Sequence, residues 1–205
     1  METVVKVGGS LCRDQGVLER LCDELNEMGG ILVVPGGGEF ADTVRGIDRE
    51  FRLDERIAHR LAILAMQQTG VLIGEFFKGE IFDCAALLDD ENLKASWDVT
   101  SDSIAAYIAK ERGAKRLIIL KDVDGVFTAD PKKGDATADP NKGEAKLIPE
   151  VTTEELSAME SSCLDREFPG FVKDSGLEVW IINGKHPERI KEILNNKKTK
   201  GTRIL

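Results

Sequence analysis

The chain has 205 residues, a formal net charge of −9, few aromatic residues and no long basic tract. A protein that grips a nucleic-acid backbone needs a basic face, and a membrane helix needs roughly 18 consecutive apolar residues. Neither is present in the sequence, so both classes are set aside. Cys12, Cys22, Cys84 and Cys163 are far apart and form no C-x-x-C pair. They read as reduced thiols of a cytoplasmic protein, not as a disulfide framework or a metal site. The opening METVVKVGGS is too short and polar for a secretory leader, and the length favours one domain over residues 1–205.

Residues 3–7 (TVVKV) read as a short buried strand running into Gly8-Gly9. Over residues 14–28 the apolar side chains Val17, Leu18, Leu21, Cys22, Leu25 and Met28 fall at helical spacing, and Gly29-Gly30 ends the pattern. Residues 31–34 (ILVV) form the next strand, broken at Pro35-Gly36-Gly37-Gly38. Strand, crossover helix and strand make a βαβ unit, which implies a parallel sheet. Helical patterns follow at 39–47 and 53–69. In the second, Leu53, Ile57, Leu61 and Leu64 are expected to line the buried face, with Arg56 and Arg60 opposite. A helix over 102–112 leads to a strand at 116–120 (RLIIL); a strand at 178–182, a helix near 187–195 and a strand at 202–205 close the chain. Residues 122–150 lack periodicity and contain an echo, TADPKKGD at 128–135 and TADPNKGE at 137–144, which reads as a duplication within a surface loop. The fold expected is an α/β three-layer αβα sandwich with a mostly parallel open sheet.

Each glycine run lies just beyond the carboxyl end of a predicted strand, the edge where open α/β sheets bind ligands. In Lys6-Val7-Gly8-Gly9-Ser10 the glycines let backbone amides approach an anion, and Lys6 can reach a phosphate; the plainer reading is a turn beside an ordinary strand lysine. Gly36, Gly37 and Gly38 open a helix whose free N–H groups suit an anionic substrate, or they simply make a sharp turn. Neither G-x-x-x-x-G-K-[ST] nor G-x-G-x-x-G occurs. Thr100-Ser101-Asp102-Ser103 has the composition of a helix cap, the plainer reading; the functional one has Asp102 accepting hydrogen bonds from two lysines or from a glycine-loop amide. DVDGVFTADP (122–131) follows a strand but lacks the register of a calcium loop; Asp-Gly is a good turn, and Phe127 offers either core packing or a surface for an adenine ring. His59 lies on the 53–69 helix, where it reads as structural or as facing an acceptor, and His186 lies at a loop-to-helix junction.

Taken in order, KVGGS, PGGG, TSDSIAA, K-DVDGVFTADP, IING (181–184) and Gly201-Thr202 resemble the amino-acid-kinase superfamily across essentially the whole chain. The resemblance implies an ATP- and Mg²⁺-dependent kinase that self-associates. Lys6, with Gly8, Gly9 and Ser10, would meet the transferring phosphoryl group, and Asp102 would organise the catalytic lysine. Lys121, Asp124, Gly125, Val126, Phe127, Asp130 and Pro131 would hold the nucleotide; Gly36, Gly37, Gly38, Arg45 and His59 would hold the acceptor. No residue is assigned to a metal. Where many relatives carry G-G-M-x-x-K, this chain has SSCLDREFPGF at 161–171, leaving Lys121 and Lys185 as candidates for a second cation. VPGGGEFADTVR, AHRLAILAMQQ (58–68) and SCLDREFPGF are similar, more narrowly, to a subgroup that phosphorylates an aminomethylfuran phosphate in methanofuran-type coenzyme biosynthesis. On that reading Arg45 would pair the acceptor's phosphate and Glu39 or Asp42 its ammonium. A phosphomonoester has a second pKa near 6, so its oxygen needs no general base. The alternatives are a uridylate or isopentenyl phosphate kinase, or a catalytically silent nucleotide binder on the same scaffold.

Overall fold

Strand β1 (Thr3–Val7) is buried along its whole length, Lys6 included. A strand covered on both faces is what a parallel sheet with helices on each side requires. In the computed structural model, which describes residues 2–129, 145–159 and 162–205, β1 lies near the middle of a seven-stranded sheet of order β3-β2-β1-β4-β6-β7-β5. The other strands are β2 (Ile31–Pro35), β3 (Glu80–Ile81), β4 (Arg116–Lys121), β5 (Glu150–Val151), β6 (Glu178–Asn183) and β7 (Thr202–Ile204). Neighbours pair in parallel throughout except β6 with β7. Asp130, Pro131 and the two TADP copies beyond Ala129 lie outside the described residues.

The period-2 alternation of the strands divides the core in two. Val4, Leu32, Leu117, Ile119 and Ile181 pack on one face under α4 (Ser101–Glu111), through Ile104, Ala105 and Ile108. Val5, Val33, Ile118, Leu120 and Ile182 pack on the other, under α1 (Gln15–Asn26) and α7 (Glu188–Leu194). This is the three-layer α/β sandwich. Short helices α5 (Thr153–Ala158) and α6 (Phe168–Val172) extend the α4 layer. Among the described residues no helix is long and apolar enough to cross a membrane.

The helices α2 (Gly38–Phe51) and α3 (Glu55–Ile73) pack on one another beside the β2 edge. The expected face of α3 needs correction. Leu53 precedes the helix, and Ile57 and Leu64 are exposed. The helix meets two neighbours, so its buried positions split: Ala65 packs with Ala41 and Val44 of α2, while Ile63 and Met66 join the core over the sheet. Of the four residues expected there, only Leu61 packs against the α2 cluster.

Candidate active site

The chain runs from β1 out to β2 and β3 on one side and returns to β4 on the other, which makes the carboxyl ends of β1 and β4 the point where strand order reverses. Lys6 is in register with Ile119, two residues before Lys121. Both lysines therefore leave the same face of the sheet, towards α4. Thr100 caps α4, its hydroxyl accepting from Asp102 N–H at 3.4 Å, and Asp102 points inward from the first turn with a side chain 3% exposed. Lys6 Nζ lies 2.7 Å from Asp102 Oδ1, and Lys121 Nζ donates to Oδ2. The Lys6 contact is an ion pair without hydrogen-bond alignment, so Oδ1 keeps no directed donor.

Burial pushes the Asp102 carboxyl up, but Lys121 and Lys6 together outweigh it and hold the pKa at about 2. Burial lowers the Lys6 amine, against the pull of Asp102; at Lys121 the same opposition ends with Asp102 winning, and the pKa is raised. The three groups form a buried anion between two cations, with a net positive charge free to meet a ligand.

Asp165, from the segment that departs from the G-G-M-x-x-K pattern, fixes the start of α4. Its carboxylate accepts from Thr100 N–H at 3.0 Å, Thr100 Oγ1–H at 2.6 Å, Ser103 N–H at 3.2 Å, the Ser103 hydroxyl, and Phe168 N–H at 2.9 Å. Sequence reasoning missed that contribution. The only local signal is an Asp three residues before a short helix, which suggests a cap for α6 and says nothing of α4.

The two glycine loops touch. A Cβ on Gly9 would overlap the backbone of Gly38, and Gly38 itself has φ +54°, where a side chain is strained. Gly8 N–H donates to Leu120 O at 3.0 Å and Gly36 N–H to Val7 O at 2.8 Å, so these two amides are committed to the turns. The N–H groups of Gly9, Gly37 and Gly38 enter no such turn bond among the described residues. Ser10 is exposed in the 3-10 turn Gly9–Arg13.

From Gly37 a cavity of about 220 Å³ opens between α2, α3 and the loop before α4. Ala58, Ala62, Ile63, Met66, Val99 and Ile104 give it apolar walls; Arg45, Asp48, Glu55, His59 and Trp97 are among its polar ones, with hydroxyls from Ser96, Thr100 and Ser101. His59 Nε2 is buried without a partner among the described residues, and burial lowers its pKa, which favours the neutral imidazole. The Arg45 guanidinium lies 5.1 Å over the Trp97 ring and is held by Asp42 at 2.8 Å. Glu39 and Asp42 do not line the cavity; they pair with Arg13 on the surface at 2.6 and 2.5 Å. The roles of Trp97 and Asp48 are invisible in the sequence, because their positions depend on an irregular loop folding back over α2.

Asp124 carries its own cations: Arg189 at 2.6 Å and Lys200 at 2.7 Å, which hold its pKa at about 2 against burial. Both carboxylate oxygens are thus engaged within the protein. Gly125 is buried against Thr202, whose hydroxyl accepts from Val126 N–H at 2.8 Å and donates to Ile148 O at 2.6 Å. Phe127 is half-buried and forms a β-bridge with Leu147. Lys185 is exposed, while Lys121 joins Lys6 on Asp102, so the second cation at the sheet edge is Lys121. His186 pairs with Glu188 on the surface at 3.4 Å.

The carboxyl edge of the mostly parallel sheet thus gathers the glycine loops and a buried lysine–aspartate–lysine group at the switch point. The model of the amino acid kinase family matches residues 1–88 and 79–183, and the chain belongs to that family; it is a phosphotransferase. It is 30% identical to [5-(aminomethyl)furan-3-yl]methyl phosphate kinase of Methanocaldococcus jannaschii, covering 98% of this chain and 97% of that one. The fold is shared with the uridylate kinase of Archaeoglobus fulgidus, at a TM-score of 0.76 and 20% identity over the full length of both chains. It is shared also with the T. acidophilum isopentenyl phosphate kinase, at a TM-score of 0.64 and 19% identity, again over both full chains.

Proposed function

We propose that this chain transfers the γ-phosphoryl group of ATP to the phosphate of a small phosphomonoester, [5-(aminomethyl)furan-3-yl]methyl phosphate, giving the diphosphate and ADP. The observation that carries the reading is the Lys6–Asp102–Lys121 group beside the free amides of Gly9, Gly37 and Gly38. In phosphoryl transfer the protein acts by aligning the reactants and neutralising charge on the transferring oxygens. Lys6 and Lys121 supply that charge from a site that excludes water, and Asp102 keeps both amines in place until the phosphates arrive. An acceptor phosphate oxygen attacks Pγ, the bond to the β-phosphate oxygen breaks, and ADP leaves. The attacking oxygen is already ionised near neutral pH, which agrees with the absence of a carboxylate free to act as base beside Lys6 among the described residues.

The residues fit a nucleotide's phosphates. Mg²⁺ would neutralise charge across the β and γ oxygens; no group of three acidic, histidine or cysteine side chains among the described residues is arranged to cage it, so phosphates and water would hold it.

The acceptor cavity supports the smaller of the candidates. At about 220 Å³ it suits a small acceptor. Asp48 on its wall favours an acceptor that carries a polar group over a purely hydrocarbon tail. ADP release with Mg-ATP and a panel of aminomethylfuran phosphate, UMP, isopentenyl phosphate, aspartate and glutamate tests the reading. Turnover of the furan phosphate alone is the expected result. Turnover of another acceptor would replace the substrate, and none at all would make the chain a silent binder.

A further inference from the structure

The cavity presents its charges in sequence along α2. Its wall runs from Gly37 past Ala41 to Arg45 and then Asp48. Both oxygens of Asp48 are held by neutral donors: Trp97 Nε1–H at 2.8 Å and Leu53 N–H at 3.1 Å. The ion pairs of α2 run among Asp42, Arg45 and Arg13, and Asp48 joins none of them among the described residues. A carboxylate fixed in place at a cavity wall, with its charge unopposed, is arranged to receive a cation. His59 adds a buried polar atom, Nε2, without a partner among the described residues to the same cavity.

We infer that Asp48 determines acceptor specificity by binding a primary ammonium, so that the cavity selects a zwitterionic phosphomonoester with phosphate at the Gly37 end and amine at the Asp48 end. This rests on the phosphate-kinase reading above. The spacing suits it. Gly37 and Asp48 are eleven residues apart, about 16 Å of helix at ~1.5 Å per residue. The Asp48 side chain leans back towards the helix N-terminus, and contacts of about 3 Å at each end shorten the span further. What remains fits a compact ring with two one-carbon arms. Arg45, between the two ends, attracts the phosphate and repels an ammonium placed near Gly37, so it fixes the acceptor's direction. The indole of Trp97 serves both residues, carrying Arg45 on its face and Asp48 on its N–H.

The test uses the full chain, ATP and two acceptors that differ in one group: aminomethylfuran phosphate and its hydroxymethyl counterpart. In the wild type, replacing amine by hydroxyl is expected to raise KM about tenfold or more, the scale of one charged hydrogen bond. Asp48→Asn should raise KM for the amine acceptor by a similar factor and leave KM for the hydroxyl acceptor within about twofold. An equal rise for both would overturn the inference and reduce Asp48 to a support for Trp97 and Leu53. Should the variant not fold, the wild type decides alone: equal KM values for the two acceptors overturn the assignment while the kinase reading stands. Phosphorylation of UMP with neither furan phosphate turned over would overturn the acceptor reading, and this inference with it.

Discussion

Asp102 and Asp124 each stand between two cations near the carboxyl ends of the central strands, yet their surroundings differ. Asp102 is 3% exposed and Lys6 4%, with Lys121 at 17%. Asp124 is 20% exposed, and its partner Lys200 is 59% exposed. A surface pair of the second kind contributes little, because water already solvates both ions. Its geometry makes it a tether, in which Arg189 and Lys200 tie the turn after β4 to α7 and to the segment before β7. In the buried group there is no water to stand in for a lost partner. Its cations lie beside glycine amides at the switch point, so when a phosphate arrives they have an anion to turn to. On the proposed reading, the same pattern of charges makes a clamp in one place and a reaction centre in the other, with the carboxylate deeper in the second.

The sharpest way to break this comparison is to neutralise each carboxylate. Asp102→Asn leaves two buried ammonium groups without their anion, which should cost about 3–5 kcal/mol of stability and remove measurable kinase turnover. Its carboxyl is held at about 2 against an ordinary 3.8, so the stability it contributes is complete above that ordinary value and is lost as pH falls through the lowered one. Denaturation of wild type and variant across that acid window should show the gap between them closing. A gap constant with pH would mean that Asp102 does not carry its charge in the folded protein.

A smaller effect is expected in the cavity. Arg45→Ala should raise acceptor KM about tenfold, the scale of one charged hydrogen bond, and leave the KM for ATP within about twofold. Equal changes in both would remove Arg45 from the acceptor's side. The smallest effect belongs to the exposed clamp: Lys200→Ala should shift stability by less than about 1 kcal/mol and leave kcat within about threefold. A large loss of kcat there would place the Asp124 group in the chemistry and dissolve the distinction.

Much of the reaction edge is legible in the sequence because it is local. Strand, glycine run and capped helix each carry a short-range signature, and the period of two along β1 and β4 puts Lys6 and Lys121 on one face once the strands are paired. Which lysine shares Asp102 depends on that register, so Lys121 and Lys185 cannot be told apart without it. Four of the five hydrogen bonds to the Asp165 carboxylate reach back over more than sixty residues to Thr100 and Ser103, and no spacing announces such a contact. The α3 face departs from its apolar pattern for a related reason: a helix wedged between a sheet and a second helix buries its small residues against that helix. Ile57 and Leu64, the large ones, are left outward.

The most direct test of the central claim is kcat for Lys121→Ala measured beside Lys6→Ala with Mg-ATP and the furan phosphate. Either substitution leaves Asp102 paired with the remaining lysine, so both variants should stay folded by circular dichroism. Each should nevertheless lose roughly a hundredfold or more in kcat, as expected when a preorganised charge is removed from a phosphoryl-transfer site. A folded Lys121→Ala protein with kcat near that of the wild type would contradict the account, because the second cation would then have to come from somewhere other than the group that Asp102 holds.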